Sequence, residues 1–289
     1  GFQAFSLSET NKITDEGITF KSQSDGSLHF IDPEQATINQ IKIGADIIMC
    51  FDHCIEYGAS QVEVEAAMNR THRWASTCKQ TFYEFGDDNM QSLFGIIQGG
   101  ASTELRLKSL EFMSSLDFEG YAIGGLAVGE SKTTMYDIVN LCNRYLSPEK
   151  PRYLMGVGSP EDLVEGVASG VDMFDCVMPT RVARNGSLYT KHGRINITNQ
   201  KFRDQEIAIE TDCNCMLCSN FSTAYIHHLF KAKELLALRL ASIHNLTFMA
   251  NLMTDIRESI LNDTFENYRN TFWQTYKTAN NIKNDAVRN

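Results

Sequence analysis

Residues 93–100 have the sequence Leu93-Phe94-Gly95-Ile96-Ile97-Gln98-Gly99-Gly100, an apolar run that ends in a glutamine and two glycines. An amphipathic stretch follows, in which Leu107, Leu110 and Met113 recur at helical spacing. This strand, turn and helix pattern is repeated between residues 44 and 181, with apolar runs at 46–52, 93–98, 120–125, 152–156 and 171–177. Runs that are apolar on both faces are typical of a parallel sheet buried between helices, so the sequence predicts an α/β fold.

The composition indicates a globular protein. The chain has 289 residues, 43% hydrophobic and 21% charged, a length that suits one large α/β barrel or two ordinary domains. It contains neither a membrane-length apolar stretch nor a signal peptide, so we expect a cytoplasmic location and no membrane partner. Its net charge of −10 argues against a non-specific nucleic-acid binder, which would carry a broad cationic face. The first residue is not methionine, which is compatible with a fragment or a processed product.

Polar residues and glycines stand where the five predicted strands end: Asp52, Gln98-Gly99-Gly100, Gly124-Gly125, residues 156–159 and Asp175. Any one of them could be a helix cap or a turn residue. Because the carboxyl ends of parallel strands share one edge, the five together predict a ligand site. Gly-Gly pairs admit a flat ligand close to the backbone, and Asp52 with Gln98 offers the acceptors and donor that a guanine-like edge needs.

Asp175 closes the last apolar run, so we expect a partly desolvated carboxylate that could act as a nucleophile or a base. Downstream of Arg181, residues 187–191 and 194–198 predict a hairpin that turns at His192-Gly193, and residues 223–261 are mainly helical. Residues 176–203 contain no acidic residue but six cations: Arg181, Arg184, Lys191, Arg194, Lys201 and Arg203. This strip is either a solvated hairpin or a contact for the phosphate backbone of a nucleic acid.

Cys213, Cys215 and Cys218 have C-x-C-x-x-C spacing, which predicts a closed, structural Zn²⁺ site rather than disulfides in a chain without a secretion signal. His227, His228 or His244 could supply the fourth ligand. The cysteines at positions 50, 78 and 142 are interpreted as small core residues.

Several motifs together resemble the tRNA-guanine transglycosylases, also called queuine tRNA-ribosyltransferases. They are residues 94–100, Gly124-Gly125-Leu126-Ala127-Val128-Gly129-Glu130, residues 152–158, residues 172–181, and the cysteine cluster followed by Ala224-Tyr225-Ile226-His227-His228 and His244. The resemblance covers nearly the whole chain.

The resemblance implies a (β/α)8 TIM barrel with an inserted zinc-binding subdomain, the first barrel strands being absent from this chain. It implies that Asp175 is the nucleophile and that His244 joins Cys213, Cys215 and Cys218 around one structural zinc ion. The residues that it assigns to the exchanged base are Phe2, Asp52, Cys54, Gln98, Gly125, Leu126 and Met155.

The family exchanges guanine 34 at the wobble position of tRNA through a covalent intermediate with a catalytic aspartate. The resemblance therefore implies a homodimeric enzyme that binds guanine and a tRNA with a G34-U35 anticodon. Cys54 and Ala127-Val128-Gly129 resemble the bacterial pattern, which uses 7-aminomethyl-7-deazaguanine (preQ1). The residues expected to hold the anticodon loop are Gly156, Val157, Gly158, Ser159, Pro160, Glu161, Asp162, Thr180, Arg181, Val182, Ala183 and Arg184.

The predicted organisation is a barrel part at 1–203, a zinc subdomain at 204–250 and a helical segment at 251–289. The family places the aspartate of a Thr-Asp-Ser-Gly-Gly motif just before the segment that corresponds to Gly1-Phe2-Gln3, so this chain begins inside that motif. Two alternatives follow: a non-catalytic tRNA-binding accessory subunit or inactive fragment of the same family, and a zinc-dependent barrel hydrolase. The latter would need an open metal site at the strand ends.

Overall fold

The computed structural model describes residues 11–276. The chain forms two compact units. Unit 1 comprises the chain up to Val157 together with Glu165–Asp175, and unit 2 comprises Gly158–Val164 and the chain from Cys176 onward. The domain limits expected from the sequence, at residues 203 and 250, stay a prediction.

Unit 1 begins with a three-stranded antiparallel sheet that the sequence did not predict. Its strands, in spatial order, are β1 (Asn11–Ile13), β2 (Ile18–Lys21) and β3 (Leu28–Ile31). Helix α1 (Pro33–Ile43) follows, with Asp32 accepting a hydrogen bond from the amide of Gln35 as its N-cap and Gly44 as its C-cap.

A five-stranded parallel sheet forms the centre of unit 1. Its strands lie in chain order: β4 (Ile47–Met49), β5 (Ser92–Ile97), β6 (Gly120–Ile123), β7 (Arg152–Leu154) and β8 (Met173–Phe174). This order confirms the predicted α/β barrel fold, of which the described residues contribute five neighbouring parallel strands. The strands are shorter than the apolar runs. Residues 171–177 in particular supply only a two-residue strand, because only Met173 and Phe174 are in register with β7, although the Asp172 amide also donates to the Arg152 carbonyl.

The helices of unit 1 follow the strands as the periodicity predicts. They are α2 (Gln61–Phe85), α3 (Thr103–Ser115) and α4 (Lys132–Tyr145), together with the second half of α5 (Pro160–Ala168), whose first half belongs to unit 2. The predicted capping box of α2 is present, since Ser60 and Glu63 each accept a hydrogen bond from the other's backbone amide. The side chains of Ser102 and Ser131 cap α3 and α4 in the same position.

The core of unit 1 lies between the sheet and these helices. Ile48, Leu93, Ile96, Ile123 and Leu154 from the strands are fully or almost fully buried. Buried residues of α2, α3 and α4 pack against them: Ala75, Cys78, Phe82, Leu110, Met113, Met135, Ile138, Val139 and Cys142. Cys50, Cys78 and Cys142 are buried free thiols, as the sequence indicated.

Unit 2 is mainly helical around one hairpin. Its elements are α6 (Met178–Arg184), β9 (Ser187–Thr190), β10 (Gly193–Asn196), a 3₁₀ turn (Gln200–Phe202), α7 (Met216–Asn220), α8 (Thr223–Lys231), α9 (Leu235–Leu261) and α10 (Phe265–Thr275). The hairpin turns at Lys191-His192 rather than at His192-Gly193, because Gly193 pairs with Thr190 inside the ladder.

A single buried asparagine joins three segments of unit 2. Asn245 on α9 accepts a hydrogen bond from the amide of Tyr189 and donates to the carbonyls of Pro179 and Ser187, at 2.9–3.0 Å. The apolar core around it includes Leu188, Leu217, Ile226 and Leu240. Across residues 11–276, no helix combines the length and the apolar character needed to cross a membrane.

Candidate functional site

The predicted strand-end residues of unit 1 share one edge of the parallel sheet. Asp52 follows β4, Gln98 follows β5, Gly125 follows β6, Met155 follows β7 and Asp175 follows β8. The five strands are parallel and hydrogen-bonded in chain order, so their carboxyl ends lie side by side. The structure therefore brings these five residues to one edge of the sheet.

Asp52 and Gln98 form a buried pair. The Gln98 Nε2 donates to the Asp52 Oδ2 at 2.7 Å, and the two residues are 6% and 2% exposed. This bond assigns the Gln98 amide, because the nitrogen must face the carboxylate and the oxygen must point elsewhere. A charged acceptor in a buried site makes the bond strong and its geometry specific. The pair presents a fixed polar edge.

Gly125 lies against the other end of that amide. A Cβ at this position would come within 2.5 Å of the Gln98 Oε1, and the backbone has a φ of +64°, which side-chain-bearing residues rarely adopt. The absence of a side chain at Gly125 is thus required both by its own backbone and by the position of Gln98.

Asp175 has an exposed carboxylate, which corrects the expectation that it is partly desolvated. The reason is the shortness of β8, which ends at Phe174 and leaves Asp175 beyond the sheet. Its Oδ1 accepts hydrogen bonds from the Tyr153 hydroxyl at 2.6 Å and from the Gly156 amide at 2.8 Å. Among the hydrogen bonds between described residues, none uses its Oδ2. One oxygen of the carboxylate is therefore held in place by two donors.

Tyr153 was not assigned a role from the sequence, although it lies in a quoted motif. Burial, together with the hydrogen bond to Asp175, raises the pKa of its phenol above the ordinary value. The phenol therefore stays protonated and donates a hydrogen bond to the Asp175 carboxylate at physiological pH. A tyrosine on β7, next to the strand end that carries Asp175, is the signal that could have identified it.

Cys54 and Leu126 are buried next to this edge, and Met155 is half-buried. Burial raises the pKa of the Cys54 thiol to about 11, so it is a neutral thiol near neutral pH. In the following loop, the Glu130 carboxylate accepts hydrogen bonds from the amides of Ala127 and Val128. Phe2, the remaining residue expected at the base, lies outside the described residues.

A pocket of about 320 Å³ also lies in unit 1. It is lined by residues 55–59, Gln61, Val64, residues 99–102, Leu105, Gly125, Leu126, Val128 and Glu130. It therefore shares Gly125 and Leu126 with the expected base site but not Asp52, Gln98, Met155 or Asp175. The hydrogen-bonding groups at the strand ends, rather than this pocket, define the candidate site.

The residues expected to hold RNA are divided between the units. Gly156 and Val157 belong to unit 1, whereas residues 158–162 and 180–184 belong to unit 2. Asp162 is largely buried and bonded to the Ser159 hydroxyl at 2.7 Å, an arrangement that caps α5. Ala183 is fully buried in the core of unit 2.

Arg181 and Arg184 are two available cations of the basic strip. Both are exposed on α6, and neither takes part in an ion pair between described residues. Lys191, by contrast, pairs with Asp212 at 3.1 Å, and the Lys201 ammonium lies over the Phe202 ring at 4.9 Å. Lys191 is thus neutralised, whereas α6 and Arg194, which is exposed on β10 and takes part in no ion pair between described residues, leave the strip open.

Unit 2 contains a candidate metal centre built from Cys213, Cys215, Cys218 and His244, whose ligand atoms all lie within 4.8 Å of one another. The Nδ1 of His244 is 4.0, 3.5 and 3.4 Å from the three sulfurs, respectively. Zn–S and Zn–N bonds of about 2.3 and 2.0 Å at tetrahedral angles would separate sulfur from nitrogen by about 3.5 Å. The side chains therefore fit a zinc ion.

The remaining contacts of this cluster support the same reading. The Nε2 of His244 lies 2.8 Å from the Tyr189 carbonyl, so it carries the proton and Nδ1 presents its lone pair to the cluster. Hydrogen bonding by the Cys218 thiol, and then by His244, lowers the pKa of Cys215, which favours a thiolate at that position. In the same cluster, burial raises the pKa of Cys213, and the hydrogen bond to Cys215 raises the pKa of Cys218. Of the other histidines considered, His227 is bonded to the Ile197 carbonyl at 2.7 Å, and His228 is exposed.

Comparison with known proteins agrees with the motifs. A family model described as "TGT: Queuine tRNA-ribosyltransferase" matches residues 1–278. A protein of Dehalococcoides mccartyi named queuine tRNA-ribosyltransferase is 50% identical over 288 residues, which are 100% of this chain and 71% of that protein. A Thermoanaerobacter protein of the same name is 48% identical over 276 residues, covering 96% and 73%. One from Herpetosiphon aurantiacus is 47% identical over 288 residues, covering 100% and 72%.

Proposed function

The chain belongs to the queuine tRNA-ribosyltransferase family, and from this premise we propose that it exchanges guanine 34 of tRNA for preQ1 with Asp175 as the nucleophile. The observation that carries the proposal is the arrangement at the sheet edge: a carboxylate with one oxygen held by Tyr153 and Gly156, next to a strand edge that bears the Asp52–Gln98 pair.

In the first step, the Asp175 Oδ2 attacks C1′ of the wobble ribose, and the bond between C1′ and N9 of guanine breaks. The electron pair of that bond leaves with guanine, which takes up a proton, while the ribose becomes an ester of Asp175. The hydrogen bonds to Oδ1 fix the carboxylate plane, so that Oδ2 points in a constant direction. An oxocarbenium-like transition state of this kind is stabilised by a nearby carboxylate.

In the second step, N9 of preQ1 attacks C1′, loses its proton and releases Asp175. The exchange therefore consumes no net proton and needs no redox cofactor. Two displacements at the same carbon return the original configuration, as in retaining glycosidases. The base must leave its stack to reach the site, which costs least in an unpaired anticodon loop.

Asp52, Gln98 and the backbone around Gly125 and Leu126 would bind the edge of the base, with Met155 against one face. The buried carboxylate and amide match a purine that offers N–H donors and a carbonyl acceptor on one side. The proposed choice of preQ1 rests on Cys54 and Ala127-Val128-Gly129. Arg181 and Arg184 would contact the phosphates of the anticodon loop.

The zinc ion would be structural. Four protein ligands complete a tetrahedral shell, so no position is left for a water molecule or a substrate, which disfavours the hydrolase alternative. The ion would hold residues 213–218 against α9. We retain a homodimer and a cytoplasmic location as part of the proposal.

Incorporation of labelled guanine into unmodified tRNA tests the function. Asp175→Asn should lower the rate by roughly a thousandfold or more, as removal of a nucleophile does. Asp172→Asn is the matched control, because Asp172 flanks the other end of β8 and accepts a hydrogen bond from the Arg152 amide. Its rate should stay near that of the wild type. A chain that binds tRNA but never incorporates guanine would instead support the accessory-subunit alternative.

A further inference from the structure

Arg106 on α3 is a fully buried arginine whose guanidinium lies at the turns after β5 and β6. Its Nε donates to the Gly100 carbonyl, its Nη1 to the Ile97 carbonyl and its Nη2 to the Gly124 carbonyl, each at 2.8 Å. Nη2 also lies 3.5 Å from the Gly125 carbonyl. One planar guanidinium therefore contacts the turn after β5 and the turn after β6 at the same time.

These carbonyls flank the residues assigned to the base. Ile97 and Gly100 stand on either side of Gln98 and Gly99, and Gly124 with Gly125 leads into Leu126. The peptide planes that carry the Gln98 side chain and the Gly125 backbone are thus fixed relative to each other by a single group. A shift of either turn would move the Gln98 side chain or the Gly125 backbone, which are the groups proposed to bind the heterocycle.

The charge of Arg106 has an unusual set of partners. Among the ion pairs between residues 11 and 276, none involves Arg106. Burial lowers the pKa of its guanidinium, although arginine stays protonated in proteins. A buried cation without a carboxylate is costly, and an apolar residue of the same volume would often serve stability as well. The carbonyl geometry that only a guanidinium fork can satisfy is the better reason for arginine here.

A second residue of α3, Ser109, also holds the turn after β5 in place. The Ser109 hydroxyl accepts a hydrogen bond from the backbone amide of Gln98 at 3.1 Å and lies 3.1 Å from the Nε2 of His72. The imidazole of His72 stacks on Phe112, with ring centroids 4.3 Å apart. The turn after β5 is therefore held by α3 through both its carbonyls and its amide.

We propose that Arg106 is a positioning residue for the exchanged base, with Ser109 supporting it, and that it sets the affinity for the heterocycle without touching it. This inference rests on the proposed function, because it takes Gln98 and Gly125 as base contacts. It separates two properties of the enzyme. The affinity for guanine or preQ1 depends on Arg106, whereas the affinity for tRNA and the zinc content do not.

The test compares Arg106→Lys with Leu110→Ala. Lysine keeps the charge but cannot form the fork, and Leu110 is a core residue on the same buried face of α3. The dissociation constants of guanine and preQ1 are measured by calorimetry, and the KM values for base and tRNA are measured with kcat. Thermal unfolding of each variant serves as the measure of stability.

We expect Arg106→Lys to raise the dissociation constant and the KM of the base at least tenfold, with the KM of tRNA changed less than twofold. Leu110→Ala should lower the melting temperature but leave base affinity near the wild-type value. Ser109→Ala, which removes only a hydroxyl, should raise the dissociation constant about threefold and keeps the test open if Arg106→Lys does not fold.

Equal base affinity in Arg106→Lys and the wild type would overturn the inference and leave the proposed function standing. So would an equal loss of base affinity in Leu110→Ala and Arg106→Lys at matched stability, since the effect would then be general. Where Arg106→Lys does not fold, unchanged base affinity in Ser109→Ala overturns it. If the wild-type chain binds neither base, the proposed function fails and the inference falls with it.

Discussion

Replacing Gly125 by alanine should damage both the fold and the base site. The new Cβ would stand 2.5 Å from the Gln98 Oε1, closer than a carbon and an oxygen can approach, at a backbone φ of +64°. Gln98 cannot retreat without moving its Nε2, which donates to Asp52 at 2.7 Å. The substitution therefore strains the turn and also displaces Gln98 from its buried hydrogen bond with Asp52.

The size of the effect can be estimated from these two contributions. A left-handed conformation costs a side-chain-bearing residue about 1–2 kcal/mol, and a hydrogen bond to a charged group contributes about 1.5–3 kcal/mol. We expect the free energy of unfolding to fall by about 2.5–5 kcal/mol. Since every 1.4 kcal/mol is about tenfold in affinity, a rotated Gln98 amide should weaken base binding by about tenfold or more.

Urea unfolding and calorimetry with guanine measure the two effects. Gly44→Ala is the matched control, because Gly44 has a similar φ of +80° at the end of α1 and no atom within 4 Å of an added Cβ. It should lose about 1–2 kcal/mol of stability from strain alone and bind guanine normally. Equal stability losses in the two variants, together with normal guanine binding by Gly125→Ala, would refute the proposed contact.

Three further predictions concern pH, metal and RNA. Burial lowers the pKa of His72 to about 4, whereas the unfolded chain keeps the ordinary value of about 6.5. As the pH falls below about 6.5, His72 is therefore protonated in the unfolded state before it is protonated in the folded state. The free energy of unfolding should then drop by up to about 1.4 kcal/mol per pH unit towards pH 4. Urea titrations of His72→Gln should show a shallower drop, and an equally steep one would exclude His72 as the cause. Chelation should lower the melting temperature of the wild type and of His228→Ala but not that of His244→Ala; a chelator-sensitive His244→Ala protein would contradict the assigned ligand set. Replacing Arg181 and Arg184 by alanine should weaken tRNA binding and flatten its salt dependence by about 1.4 in log–log slope, unlike Lys191→Ala, because Lys191 is already paired with Asp212. An unchanged slope would show that α6 does not face phosphate.

The strand ends and the metal cluster could be predicted because both are local in the sequence. An apolar run followed by Gln98-Gly99-Gly100 identifies a strand, its end and the turn without any knowledge of its neighbours. The spacing of Cys213, Cys215 and Cys218 identifies a metal site in the same way. The fourth ligand was left open by spacing, since three histidines follow, and only the fold brings His244 to the sulfurs.

The residues that the sequence did not reveal depend on distant partners. Arg106 stands between Leu105 and Leu107 in a stretch with Glu104 and Lys108, which looks like an ordinary amphipathic helix with a charged face. The Arg106 side chain points into the protein because its guanidinium bonds to carbonyls in two turns. No local sequence pattern specifies that those turns lie next to it. A charged residue three positions before Ser109, on the face that also carries Leu110, was the only local sign.

The exposure of Asp175 and the antiparallel sheet at the start of unit 1 were missed for a related reason. Apolar residues flank Asp175, but the sheet ends at Phe174, and strand length is decided by pairing with β7 rather than by hydrophobicity. The strands β1, β2 and β3 have only three or four residues each, too few for a periodic signal.

On the proposed mechanism, Asp175 becomes covalently bonded to the ribose of the tRNA. The direct test incubates the chain with unmodified tRNA without an incoming base, quenches the reaction in denaturant, digests RNA and protein, and maps the adduct by mass spectrometry. The account predicts a ribonucleotide mass on the peptide that contains Asp175, lost in Asp175→Asn and released when preQ1 is added. An adduct on another residue such as Asp52, or base exchange by a wild-type chain that never forms an adduct, would contradict it.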